Sequence, residues 1–382
     1  MSELASTSEE ATEICTRCVM TRAVDTDIVF VDGVCNHCRR YDRLLPSRVL
    51  TGAEGREALE ILVGRMRAAR SRKGYDCVVG VSGGVDSTYV AMWAKTLGLN
   101  PLAVHVDNGW NSEVAVANIE KTLKKLDIDL QTEVLDLREF YDLQRSFLYA
   151  STPDGDVPAD HAIQATLWKA ARKNRVRFIV SGMNFRTESV LVHSWSYGHS
   201  DWRYLKAVHK RHGKRALKTF PHFGFIELFY TNVIRRIRTV SILNYVDYDK
   251  AVAMRELTEA LDWTPYGGKH YESIYTRWYQ GYVLPQKFGI DKRRGHLSDL
   301  INSGEMTRDE ALRTLDMHDY DERLRQQDQT LVLKKLQLTE AEFAEIMALP
   351  TASFRDYPNA HAFVQRLRDL ANWLRSKGLY PR

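Results

Sequence analysis

The chain has 382 residues, room for two domains or for one domain with sizeable additions. Hydrophobic residues make up 44% and charged residues 27%, a globular balance that excludes wholesale disorder. The net charge of +5 suits a small polyanionic ligand and is too weak to argue for nucleic acid.

No run reaches the ~18 apolar residues of a membrane span. The longest, residues 220–233, is broken by His222, Gly224 and Glu227. The first ten residues are polar and acidic and read as no signal peptide, so a cytoplasmic location is expected. Residues 1–12 read as a disordered leader.

Residues 13–42 form the next unit. Cys15 and Cys18 are separated by sixteen residues from Cys35 and Cys38, a C-x2-C…C-x2-C spacing within the zinc range. Four thiolates close a tetrahedron and leave no open position, which predicts a structural site. In so small a module, metal binding supplies on the order of 10 kcal/mol of folding energy. His37 is an alternative ligand, made redundant by the fourth thiol. Residues 25–34 read as a small hairpin ending in Asp32-Gly33. Residues 43–74 read as a charged helical linker.

From residue 75 to about 200, strand and helix patterns alternate. Strands are predicted at 76–81, 102–107, 132–135 and 177–180, and helices at 88–97, 112–126, 138–149 and 159–173. This alternation predicts an α/β fold, a doubly wound parallel sheet with helices on both faces. Asp160 reads as the N-cap of the last helix, with a ligand role held equally open.

The first strand runs into Val81-Ser82-Gly83-Gly84-Val85-Asp86-Ser87. A glycine- and hydroxyl-rich turn before a helix aims N–H groups at an anion. Ser82, Gly83, Gly84 and Ser87 are the predicted ligands of that anion. Asp86 would repel it unless a bridging Mg²⁺ intervenes. The Gly-Lys-Ser/Thr ending of a Walker loop is missing. Ser82-Gly83-Gly84-Val85-Asp86-Ser87 resembles instead the PP-loop of ATP pyrophosphatases, which release AMP and hold pyrophosphate. Two other strand ends carry polar groups. Asp107, in His105-Val106-Asp107-Asn108-Gly109-Trp110, is expected at the adenine or ribose. Gly182 and Glu188, in 181–188, resemble a stretch of ammonia-dependent NAD synthetases, with Glu188 as the second Mg²⁺ ligand. Ligands of open α/β sheets bind where such strand ends converge.

Residues 201–382 read as a helical, aromatic-rich region for substrate binding. Residues 202–218 hold seven Lys/Arg and no acid. A solvated helix, an RNA grip and a clamp for a substrate diphosphate all fit that stretch. Residues 263–294 mix aromatics with cations, which suits a sugar–nucleotide pocket or an aromatic core with snorkelling cations. Thr339 with Glu342 is a helix cap signal.

Taken with the four-cysteine module, the PP-loop, residues 105–110 and 182–188, two further segments carry a more specific resemblance. They are Tyr266-Gly267-Gly268-Lys269-His270-Tyr271-Glu272-Ser273 and residues 284–294. The set resembles the N-acetyl sugar amidotransferases of surface-polysaccharide and lipopolysaccharide O-antigen synthesis, the WbpG/PseA-like group. That resemblance implies ATP, Mg²⁺ and structural zinc, and conversion of an acetamido group on a UDP-sugar to an acetamidino group through an adenylate and ammonia. It makes Asp86, Lys269, His270 and Glu272 catalytic candidates, and Lys287, Arg293 and Arg294 substrate ligands.

Cys77 lies in a strand and the other cysteines are committed to zinc, so no glutaminase nucleophile is evident. A separate glutaminase subunit is therefore expected, with a cyclase-like subunit as a further candidate. The alternative is a PP-loop tRNA thiolation enzyme, which shares the loop and a zinc module. Such enzymes usually carry further cysteines in the nucleotide domain, and this chain has none there beyond Cys77. A zinc-binding adaptor is a third reading, but it leaves the loop unexplained.

Overall fold

The computed structural model describes residues 13–268, 270–317 and 320–376. The expected leader and Lys269 lie outside them. Near the start, β1 (Phe30–Val31) and β2 (Val34–Cys35) pair antiparallel across the Asp32-Gly33 turn. Both turn residues have positive φ, 52° and 77°, the twist a two-residue hairpin needs.

The main sheet has five strands: β3 (Cys77–Gly80), β4 (Pro101–Asp107), β5 (Asp129–Val134), β6 (Phe178–Val180) and β7 (Arg238–Val240). Their order is β5-β4-β3-β6-β7, and every pairing is parallel. The order reverses between β3 and β6, the crevice where ligands of such sheets bind. β7 was hidden in the sequence, because three residues carry too little periodicity to read. It also means the sheet draws on residues beyond position 200.

Helices cover both faces, as the pattern predicted. Cys77 and Val79 of β3 pack with helices Gly52–Ala68, Val85–Thr96, Glu113–Leu126 and Lys250–Leu261. Val78, one residue out of phase, packs on the other side with Ala165, Trp168 and Ala171 of helix Val157–Asn174. A period of two along a strand buried on both faces requires this division.

The beginning of helix Val157–Asn174 corrects one expectation. Its N-cap is Asp156. Asp160 lies inside the first turn and pairs with His199 Nε2 at 3.2 Å. Helix Val85–Thr96 likewise begins three residues earlier than its apolar pattern suggested, with Gly84 as N-cap. Asp86 and Ser87 therefore stand on the first helical turn, not in the loop. Farther on the chain is helical, and Thr339 with Glu342 forms the predicted capping box. Among the described residues, no helix is long and apolar enough to cross a membrane.

The four cysteines converge. The sulfurs of Cys15, Cys18, Cys35 and Cys38 all lie within 4.8 Å of one another, and those of Cys18 and Cys35 are 3.6 Å apart. Thiolates ~2.3 Å from a tetrahedral zinc stand ~3.8 Å from each other. Backbone N–H groups of Cys18 and Cys35 donate to Cys15 Sγ, at 3.4 and 3.3 Å, and those of Met20 and Cys38 to Cys18 and Cys35 Sγ. Such donors suit thiolate charge. His37 pairs with Asp25 at 2.7 Å instead of joining the sulfurs.

The module is bolted to the C-terminal helices. Arg308 Nε donates to Cys15 O and Cys18 O, Arg294 donates to Val19 O at 2.8 Å, and Val19 packs with Leu297 and Ala311. Elemental analysis should find one zinc per chain. Cys18→Ser or exhaustive chelation should lower Tm by ~10 °C or more, because the module has little other core. Metal-free protein with unchanged Tm would refute the assignment.

Candidate active site

β3 delivers the chain to a tight cradle at its carboxyl end. Ser82 Oγ and Ser87 Oγ are 3.1 Å apart, Ser87 Oγ donates to Gly84 O at 3.2 Å, and Gly84 N donates to Ser82 Oγ at 3.3 Å. Gly83 has φ +80°, and a Cβ there would overlap the backbone of Ala115. Glycine is thus required twice, by conformation and by space. Trp263 Nε1 donates to Gly83 O at 3.0 Å and holds the turn from outside. His105 Nδ1 donates to Val81 O at 2.9 Å, which leaves Nε2 to accept from Asn111 at 3.1 Å. The N-terminus of helix Val85–Thr96 opens onto this turn and favours an anion there by ~0.3–1 kcal/mol.

The acids expected around the loop are brought to it. Tyr248 Oη donates to Asp86 Oδ1. Burial, then the Asp86 charge and its hydrogen bond, push the Tyr248 phenol far above its ordinary value, and Glu188 adds to that push. Asp86 thus bonds the phenol, and Glu188, like Glu305, lies in electrostatic reach of it. Two carboxylates suit Mg²⁺, which takes its remaining ligands from phosphate and water. Gly182 sits where a Cβ would come within 3.0 Å of Asp86 C and 3.1 Å of Ser87 N, so its immediate role is close packing of β6 on the helix start. Asp107 ends β4 as expected. Its Oδ1 accepts from Gly109 N at 2.9 Å and closes a turn.

A distant segment completes the site. Asn111 and Ser273 form an antiparallel bridge, Ser112 N donates to Glu272 O at 2.9 Å, and Ile274 N donates to Trp110 O at 2.9 Å. This pairing sets Tyr266 and Glu272 against the loop. A Cβ on Gly84 would lie 3.0 Å from Tyr266 Oη and 3.6 Å from Glu272 Cδ. Tyr266 Oη lies close enough to Val85 N–H and the Glu272 carboxylate to interact with both, while His270 Nδ1 stands 3.6 Å from Glu272 Oε1. Burial opposes the Glu272 charge, but His270 and Tyr266 outweigh it and hold the carboxyl below its ordinary value. Glu272 is thus ionised at neutral pH.

Comparison with known families agrees with this division. Residues 76–178 match the model for the queuosine biosynthesis protein QueC. Residues 272–371 match the model for the C-terminal domain of WbpG-like LPS biosynthesis proteins. The chain thus carries a region similar to a PP-loop family and a C-terminal region similar to the WbpG-like domain. Comparison with curated proteins gave no match. Among solved structures, an NMN synthetase from Francisella tularensis aligns at 13% identity and TM-score 0.35, over 75% of this chain and 98% of its own. A predicted subunit of a tRNA methyltransferase from Methanocaldococcus jannaschii aligns at 15% identity and TM-score 0.28, over 48% and 75%. Neither likeness is close enough to carry a conclusion.

The WbpG-like domain corrects three expectations. Lys287 Nζ donates to Ile346 O, Met347 O and Leu349 O, at 2.7, 3.2 and 2.8 Å, and so caps helix Glu340–Ala348. Arg293 binds Asp291 and the carbonyls of Leu315 and Met317. Arg294 reaches the zinc module. All three cations are engaged by carbonyls or a neighbouring acid of the fold.

Lys292, not singled out in the sequence, stands near a group of acids. It lies in electrostatic reach of Asp156, Asp160 and His199. Helical spacing of ~100° per residue separates it from Arg293 and Arg294. Asp160 and His199, paired with each other, are about half-exposed. Tyr248 and Trp263 were also missed, since aromatic residues in a loosely patterned stretch carry no local signal.

Gly83→Ala should abolish nucleotide binding, with affinity at least ~100-fold weaker, since the chain must move off Ala115 to admit the methyl. Tyr248→Phe should leave folding intact but raise the Mg²⁺ concentration for half-maximal ATP turnover several-fold. Titration calorimetry with ATP and Mg²⁺ checks both, and wild-type affinity in Gly83→Ala would refute the cradle.

Proposed function

We propose that the protein is an ATP-dependent amidotransferase that converts an acetamido group of a UDP-linked sugar into an acetamidino group, in lipopolysaccharide O-antigen or surface-polysaccharide synthesis. The observation that carries this reading is the seating of Glu272 and Tyr266, from the WbpG-like region, on Gly84 and Val85 of the PP-loop. A group presented by that region meets the nucleotide where its phosphates bind.

The chemistry follows from the poor leaving ability of an amide oxygen. The oxygen attacks the α-phosphorus, an O–P bond forms, and the bond to pyrophosphate breaks. Ammonia adds to the activated carbon, AMP leaves with the former amide oxygen, and a proton is lost from nitrogen. Ser82, Ser87 and the loop N–H groups hold the departing pyrophosphate. Mg²⁺, held by Asp86 and Glu188, would neutralise phosphate charge. Glu272, ionised and oriented by Tyr266 and His270, takes the proton from the attacking nitrogen.

The cysteines favour this reading over tRNA thiolation and over a built-in glutaminase. Burial pushes the Cys77 thiol up to about 12, so it is no nucleophile at neutral pH. The other four form the metal-type cluster. Ammonia then comes from a separate glutaminase subunit. Exposed apolar side chains at Ile226, Phe229, Val233, Phe363 and Leu367, joined by the Phe225–Phe363 contact, support association with a partner.

Mass spectrometry of reactions with ATP, ammonium and a panel of UDP-acetamido sugars should show AMP and a sugar product lighter by the difference between O and NH. AMP release that depends on tRNA and ignores the sugar would overturn the reading. Glutamine should not replace ammonium for the isolated chain. Glu272→Gln should lower AMP release by ~100-fold or more, with ATP affinity within a few-fold of wild type.

A further inference from the structure

A cavity of about 430 Å³ adjoins the Asp107 turn. Its lining includes Arg138, Arg145, Lys214, Arg215 and Lys335, and one carboxylate, Asp142. Arg138 is paired with Asp136 at 3.0 Å. Lys335 Nζ donates to Gly109 O and sits 5.0 Å from the Trp110 ring centroid. Asp142 is saturated: it accepts from His209 Nε2 at 3.0 Å and from the backbone N–H of Lys214 and Arg215, each at 2.9 Å. It thereby fixes the turn that brings the Lys214 and Arg215 side chains to the cavity.

Arg145 is the anomaly. It is 8% exposed, and its Nε is sealed from solvent without a hydrogen-bond partner. Among the described residues its guanidinium has the face of Tyr149, at 5.2 Å, and the more distant charge of Glu342. Glu342 is already engaged by Thr339 N–H and Oγ1. A buried charge without a matching acceptor is unfavourable unless a ligand supplies one. The part of Arg145 that remains accessible opens on the cavity. A planar guanidinium with flanking cations matches phosphate oxygens, and Leu137 and Tyr141 give the cavity an apolar wall.

We infer that this cavity binds the diphosphate of a nucleoside diphosphate, with Arg145 as the central ligand and Lys214 and Arg215 beside it. Assigning that group to the nucleotide end of an activated sugar rests on the function proposed above; the anion site itself does not. Tyr141 and Lys335 both bond Gly109 O, so the cavity wall and the Asp107 turn at the nucleotide site are one unit. This gives two residues of the basic stretch a role, and that role is the diphosphate clamp among its three readings.

The test is calorimetric titration of the full chain with UDP, while α,β-methylene-ATP and Mg²⁺ occupy the PP-loop. UDP should bind, more weakly as salt rises. Arg145→Met should weaken UDP binding at least tenfold and leave α,β-methylene-ATP affinity unchanged. Its Tm without ligand should not fall, because an unpaired buried charge is removed; a merely structural arginine would lower it. The exposed pair Lys214→Met/Arg215→Met provides a second variant, with UDP binding at least threefold weaker. Equal UDP affinity in wild type and variants, no UDP binding, or Arg145-dependent capture of an acidic polypeptide in place of UDP would each overturn the cavity. Sugar-dependent AMP release with UDP binding indifferent to Arg145 would sink the cavity and spare the function. Arg145-dependent UDP binding without sugar-dependent AMP release would do the reverse.

Discussion

The backbone pairing of Trp110–Ser112 with Glu272–Ile274 is the contact on which the site depends. It joins the turn after β4 to a segment some 160 residues later in the chain. Backbone hydrogen bonds are directional, and register admits no half steps. Once Asn111 faces Ser273, Glu272 has one place to go, against the PP-loop. Tyr266 then stands beside the start of helix Val85–Thr96 and the Glu272 carboxylate. The loop and the catalytic candidate are thus positioned by one short ladder instead of by two separately packed domains.

The zinc module acts on the same problem from the opposite side. Four clustered thiolates would carry net negative charge around a metal, and Arg308 brings a guanidinium to the carbonyls of Cys15 and Cys18. Arg294 and Ser298 hold Val19 from the same helical layer. Arg40, on the helix after Cys38, donates to Ser189 O, one residue beyond Glu188. The cysteine cluster therefore braces both the WbpG-like helices and the strand-end segment that carries Glu188. A cysteine cluster at one end of the chain thus bears on the segment that carries Glu188.

Charge is divided by task. Arg293, Arg294 and Lys287 look like substrate ligands because they are dense in sequence and interleaved with aromatics. Each instead meets carbonyls or a neighbouring acid, which satisfies helix ends that would otherwise be left open. Arg145, less conspicuous in the sequence, lines a cavity with its Nε unpaired. A cation's neighbours in space, not its density along the chain, decide whether it is available.

The sequence by itself determined the parts whose physics is local. A C-x2-C pair brings two sulfurs together within one turn, so the four-cysteine cluster was legible. Strand, Gly-rich turn and helix are consecutive, so the tight turn formed by Ser82, Gly83, Gly84 and Ser87 was legible too, as was the parallel sheet from its alternating pattern. The tertiary structure alone decided the rest. The strand β7 is too short for a periodic signal. Tyr248 and Trp263 reach Asp86 and Gly83 from over 160 residues away. The fate of Lys287, Arg293 and Arg294 rested on carbonyls presented by other helices. Such contacts depend on which faces meet in the folded chain, and no spacing along it records that.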